Sequence, residues 1–142
     1  MTPPELVTDL RKRYGTISTH ELAARLNVTI HHAAWQVAAG RVIQFAECTR
    51  QPMQITLNDA AIARLTVGQV SNLPYSQHTD WFTREQITEV ILAHELFHLL
   101  TPAPSVWAKH ADTESAAHAF AQSWTGLPFH PTRYEQILWA TF

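Results

Sequence analysis

The residues in this chain whose types and spacing can do chemistry are His94-Glu95-Leu96-Phe97-His98. Two histidines four apart on a helix point their imidazoles to the same side, about one turn apart. Both rings can then reach one tetrahedral metal ion. Glu95 lies close enough to touch a water on that ion. This is the HExxH pattern, whose chemistry is a zinc-activated water and a glutamate general base. The plain alternative is two core histidines, each satisfied by a backbone carbonyl. A catalytic zinc site takes three protein ligands and keeps one position open. Glu114 is the expected third ligand, with His110, Asp112 and His118 competing. Glu114 falls in the first turn of an expected helix one loop beyond the motif, where an ionised carboxylate is favoured. His118, one turn later, is a candidate second-shell group that fixes a ligand's tautomer. His118, His110, Tyr134 and Tyr75 are also candidate oxyanion donors.

These residues need elements to hold them. Thr83 to Gln86 reads as a capping box, and the helix it starts runs to Leu100, where Thr101-Pro102-Ala103-Pro104 stops it. Ile87, Ile91, His94 and His98 share one stripe of that helix, so the histidines continue its core-facing side. Asp112 or Thr113 caps the following helix, which runs to about Trp124 and closes at Gly126. Ala117, Phe120, Ala121 and Trp124 form its apolar side, and the alanines near Glu114 let it approach the motif helix closely. Upstream, one helix starts at Pro3 or Pro4 and closes at Gly15. A second starts at the box Ser18-Thr19-His20-Glu21 and ends at Asn27. Val28, Ile30 and His32 alternate like a strand, whereas Ala33 to Ala39 fits a short helix equally well. Val42 to Ala46 and Met53 to Leu57 read as an antiparallel hairpin around Thr49-Arg50-Gln51-Pro52. A short helical turn from Asp59 to Leu65 follows, then a loop from Gly68 to Phe82 with Tyr75, His78, Trp81 and Phe82. His130-Pro131 starts a last helix that buries Tyr134, Ile137 and Leu138.

Composition bounds the answer. The 142 residues fit one domain over 1–142, with 46% hydrophobic and 15% charged residues arguing against disorder. A net charge of −2 gives no broad footprint for nucleic acid or anionic lipid. Cys48 is the single cysteine, which excludes an internal disulfide and points to a cytoplasmic setting. No stretch reads as a signal peptide or a membrane span.

Ile91 to Leu100 resembles the active helix of the ImmA/IrrE metallopeptidases, and Glu114 to Ala121 resembles the helix that follows it there. Glu21 to Val28 is similar to that family's entry helix and first strand, and Gln54 to Asn58 to its strand before the active helix. The likeness covers about residues 17–128. It implies a compact α+β zincin-like fold with His94, His98 and Glu114 on Zn2+ and Glu95 as general base. It also implies a protein substrate: a helix-turn-helix repressor of a phage, a mobile element or a stress response. The chain differs from that family at Phe97, where glycine is usual, at Ala116, where a second glutamate is common, and at His118, where Asn or Asp is frequent. No separate DNA-binding or sensor domain is expected. A peptide substrate is expected to add as a strand along Met53 to Leu57.

Two rival readings stand beside the peptidase. Residues 5–57 can be read as a winged helix, with a recognition helix from Ile30 to Ala39. That helix would carry no Arg or Lys, although phosphate contacts dominate DNA affinity. The other rival is a protein that holds zinc without catalysis and acts through protein contacts.

Overall fold

The structure is a computed structural model that describes residues 2–40, 42–66, 76–101 and 110–142; of residues 39, 76, 77, 110 and 111 it describes the backbone alone. Among the described residues the fold is α+β, with six α-helices, one 3-10 segment and a small mixed three-stranded sheet.

Local signals set most of the helix ends. Helix α1 (Pro3–Tyr14) starts at Thr2, whose side chain forms a capping box with Glu5, and stops at Gly15 with φ +78°. Helix α2 (Thr19–Arg25) starts at Ser18, whose hydroxyl accepts from the Glu21 amide at 3.1 Å. Glu21 pairs with Arg25 at 3.4 Å, so only this half of the expected box is seen. Asn27 then takes the left-handed conformation at φ 59°. Glu89, from a later helix, accepts the Thr19 amide and pairs with His20 at 2.6 Å. Burial alone would raise the Glu89 pKa, but hydrogen bonds from His20 and Thr19 lower it overall.

The sheet departs from the expected antiparallel one. Strand β1 (Thr29–Ala33) runs parallel to β5 (Met53–Asn58), and β4 (Ala46–Arg50) runs antiparallel to β5 on its other side. The first strand of the hairpin is therefore Ala46–Arg50 rather than Val42 to Ala46, and Thr49 and Arg50 belong to the ladder. The short strands β2 (Ala38–Ala39) and β3 (Val42–Ile43) pair with each other instead. Asn58 explains the shift. Its amide donates to the Phe45 carbonyl at 2.7 Å and its Nδ2 to the Gln44 carbonyl at 2.7 Å, while its Oδ1 accepts the Trp35 amide at 3.2 Å. This fully buried side chain clasps both ends of the segment 35–45 and turns the chain out of the sheet.

Two further expectations fail for the same reason. Ala33 to Ala39 forms no helix, so the recognition helix that a winged helix would need is replaced by β1 and the clasped segment. Strand β5 lies at the centre of the sheet, with Ile55 and Leu57 fully buried, so Met53 to Leu57 offers no free edge to a peptide.

Helix α3 (Asp59–Leu65) follows β5 directly, as expected. The expected loop lies outside the described residues up to Tyr75; beyond it, Ser76–Phe82 is a 3-10 segment. Helix α4 (Arg84–Leu100) carries the motif. Thr83 caps it, accepting from the Gln86 amide at 3.2 Å. Ile87, Val90, Leu92, Ala93, Leu96, Phe97 and Leu99 are all buried, which makes α4 apolar nearly all round and central to the core. Helix α5 (His110–Thr125) lies against it, with Ala117, Phe120 and Ala121 fully buried, and helix α6 (Thr132–Trp139) completes the chain. Helix α5 is already helical at His110, so Asp112 and Thr113 do not cap it and Glu114 sits in its second turn.

Phe97 fills the space between α4 and α5, its ring 5.6 Å from that of Phe120. Arg50 at the end of β4 donates to the carbonyls of His98 at 2.7 Å and Thr101 at 2.8 Å. A cation there is favoured by the helix C-terminus, and the contact fixes the hairpin against the last turn of α4. Leu10 of α1, Ile55 and Leu57 of β5, Leu92 of α4 and Leu138 of α6 all belong to one continuous core.

Asn58→Ala should leave the Trp35 amide and the Gln44 carbonyl without their partner. A loss of about 1–3 kcal/mol is expected, read from the urea unfolding midpoint at unchanged slope.

Candidate metal centre

Helix α4 carries His94 and His98 one turn apart, and α5 carries Glu114 and His118 one turn apart. Because Ala93, Ala117 and Ala121 are fully buried, the two helices pack closely and these four side chains meet. Glu114 bridges the histidines of α4: its Oε2 lies 3.0 Å from His94 Nε2 and its Oε1 2.8 Å from His98 Nε2. The two Nε2 atoms are 3.3 Å apart. Zinc–nitrogen bonds of about 2.0–2.1 Å at a tetrahedral angle would set two nitrogens about 3.3 Å apart. One potential ligand atom from each of His94, Glu114 and His118 also falls within 4.8 Å of the others.

The side chains are only partly exposed, 15% for His94, 20% for His98 and 33% for Glu114. Their charges are accordingly coupled. Hydrogen bonds from His94 and His98 hold the Glu114 carboxyl well below the usual carboxylate range. The hydrogen bond to Glu114 in turn raises the His98 pKa against the effect of burial. Burial, followed by the charge of His94, lowers the His118 pKa to about 4. His118 Nδ1 is buried and has no hydrogen-bond partner among the described residues, a costly condition that a ligand would relieve. Imidazole nitrogens with one carboxylate suit zinc and similar divalent ions.

The cluster sits in a cleft of about 510 Å³. Residues 42–47 form one wall, and Pro131, Thr132, Tyr134 and Glu135 the other. Glu95 lines the same cleft. The Cys48 thiol of β4 is close enough to feel the charge of that carboxylate. Burial first, then the charge of Glu95, push the Cys48 pKa up to about 12. A larger groove of about 630 Å³ lies among Arg11, Ser18, His20, Arg84, Glu89 and Trp124. Its central groups are already engaged: Arg11 donates to the Ile17 and Trp124 carbonyls, and Glu89 holds Thr19 and His20. Two buried side-chain atoms lack a hydrogen-bond partner among the described residues, the Thr19 hydroxyl at this groove and His118 Nδ1 at the smaller cleft, and only the second stands among other metal-ligating side chains.

The expected residues His94, His98 and Glu114 thus come together, with Glu95 lining the same cleft and a ligand atom of His118 within 4.8 Å of those of His94 and Glu114. Asp112 is exposed and stays outside the cluster. The side chain of His110 and all of Tyr75 lie outside the described residues. Tyr134 lines the cleft, but its hydroxyl donates to the Trp81 carbonyl, and burial raises its pKa. Cys48 is the neighbour that the sequence reading missed. No sequence pattern marks it, because its contact with Glu95 depends on how β4 lies across α4.

Glu95→Gln removes a charge that holds the Cys48 proton on. The thiol of that variant should titrate at lower pH than in the parent and react faster with a thiol reagent at pH 9. An unchanged rate would separate the two side chains.

Comparison with family models, with curated proteins and with solved structures finds no match to this chain.

Proposed function

We propose that this chain is a zinc-dependent metalloendopeptidase with a zincin-like active site, acting on a protein substrate. One observation carries the reading: His94, His98 and Glu114 converge from two helices while Glu95 faces the same cleft. His94, His98 and Glu114 would hold the ion. When bound, zinc would make a water nucleophilic near neutral pH and polarise the scissile carbonyl. Glu95 takes the proton of the attacking water and delivers it to the leaving nitrogen. The Cys48 thiol steadies the Glu95 carboxylate from the sheet side. Arg50 keeps the last turn of α4, and with it His98, in register with β4.

The substrate lies in extended form along the outer edge of β4, which has no strand partner among the described residues. Ala46 and Glu47 of that strand line the cleft, so backbone pairing there brings a peptide past Glu95. The resemblance to the ImmA/IrrE metallopeptidases supports a helix-turn-helix repressor as the substrate class, and the single cysteine supports a cytoplasmic setting. No helix among the described residues is long and apolar enough to cross a membrane.

A second reading, a protein that holds zinc without catalysis, is favoured by one observation. His118 brings a further imidazole to the cluster, and four protein ligands are the mark of structural zinc sites.

Glu95→Gln separates the two readings. Cleavage of an unfolded protein substrate should fall by about a hundredfold or more, with the zinc content unchanged by elemental analysis. Equal cleavage by both proteins would remove Glu95 from its role.

Zinc affinity should also depend on pH. The ion must displace the proton that Glu114 holds on His98, since a ligand imidazole is neutral. Below the raised His98 pKa, affinity should therefore climb about tenfold per pH unit for that one proton, and the climb should end as His98 deprotonates. Calorimetric titrations in buffers of different ionisation enthalpy would count the proton released.

A further inference from the structure

We infer that His118 is a fourth protein ligand, so that the ion at this centre is held by His94, His98, Glu114 and His118 together. The inference rests on the metal-site part of the proposed function. It differs from the supporting or oxyanion role that the sequence suggests for His118.

The argument starts from the spacing. Each of the two packed helices contributes a pair four residues apart, His94 with His98 and Glu114 with His118. Side chains four apart lie on one face of a helix, one above the other. When α4 and α5 face each other through buried alanines, the two pairs oppose: His118 groups with His94 and Glu114, and His98 meets the same Glu114 and His94 from the next turn. The contacts agree. Glu114 lies within 3.0 Å of both Nε2 atoms of the first pair, and a ligand atom of His118 falls within 4.8 Å of those of His94 and Glu114. The His118 ring centroid lies 4.5 Å from that of His94.

A supporting histidine hydrogen-bonds a ligand or a carboxylate through one nitrogen. His118 Nδ1 makes no hydrogen bond among the described residues, although it is buried. The ring of His130 is also near, with centroids 5.5 Å apart, but its Nδ1 is engaged by Thr132. Ligation gives the ring a partner that the protein does not otherwise supply.

Four protein ligands fill a tetrahedral zinc site. With four such ligands no position would remain for solvent, and His118 would have to withdraw before a water or a carbonyl could bind. The resemblance alone would not suggest this, because asparagine or aspartate is frequent where His118 stands.

X-ray absorption on the zinc-loaded chain tests the assignment by counting imidazoles. Three are expected in the parent and two in His118→Ala. A cobalt-loaded pair gives a second readout, with no exchangeable water by proton relaxation in the parent and at least one in His118→Ala. Circular dichroism of both proteins confirms that the variant is folded. Two imidazoles in each protein, with water already on the parent's ion, would overturn the fourth ligand. That result beside Glu95-dependent cleavage would leave the peptidase standing. Three imidazoles in a protein that cleaves nothing would keep the fourth ligand and overturn the peptidase.

Discussion

The Glu114 carboxylate, held between His94 and His98, is the contact on which the centre depends. It joins α5 to α4 at a point where neither helix alone could satisfy its polar groups. Two imidazole nitrogens 3.3 Å apart cannot both present lone pairs to each other without cost. A proton or a metal ion must lie between them and the carboxylate. The opposite shifts of Glu114 and His98 express that need electrostatically. The carboxylate favours a proton on His98, and the same position suits it to meet a cation.

The apolar core makes this contact available. Helix α4 is buried on almost every side, so its motif turn cannot move independently of the sheet and of α5. Ala93, Ala117 and Ala121 decide how close the two helices come, and Phe97 against Phe120 sets their spacing at the next turn. The phenylalanine that stands where the resembled family usually has glycine is thus a packing residue of the α4–α5 seam.

The sheet supplies the other side of the site. Strand β4 crosses α4 so that Cys48 meets Glu95 and Arg50 meets the helix end. Its neighbour β5 is central and takes no part in the open cleft. The Asn58 clasp lifts residues 35–45 away from the sheet and makes residues 42–47 a wall of the cleft. One fully buried amide side chain therefore determines which strand edge is left free. This explains why a hairpin was legible in the sequence but its register and exposed edge were not. Alternation of apolar residues identifies a half-buried strand, but it does not say which neighbour pairs with it.

Helix placement came from local signals: proline and glycine at the ends of α1, Ser18 and Thr83 as caps, and apolar stripes between them. The spacing of His94 and His98 likewise set a common helical face, because a helix repeats on itself without outside help. Glu114 was the preferred third donor from its place one loop beyond the motif, but only the packing of α5 on α4 brings its carboxylate between the two imidazoles. The tertiary structure alone decided that His118 joins the cluster, that Cys48 lies near Glu95, and that β1 lies parallel to β5. Those three features join residues between 24 and 47 positions apart, in elements whose pairing no single segment encodes. Only the shared core can set such distances.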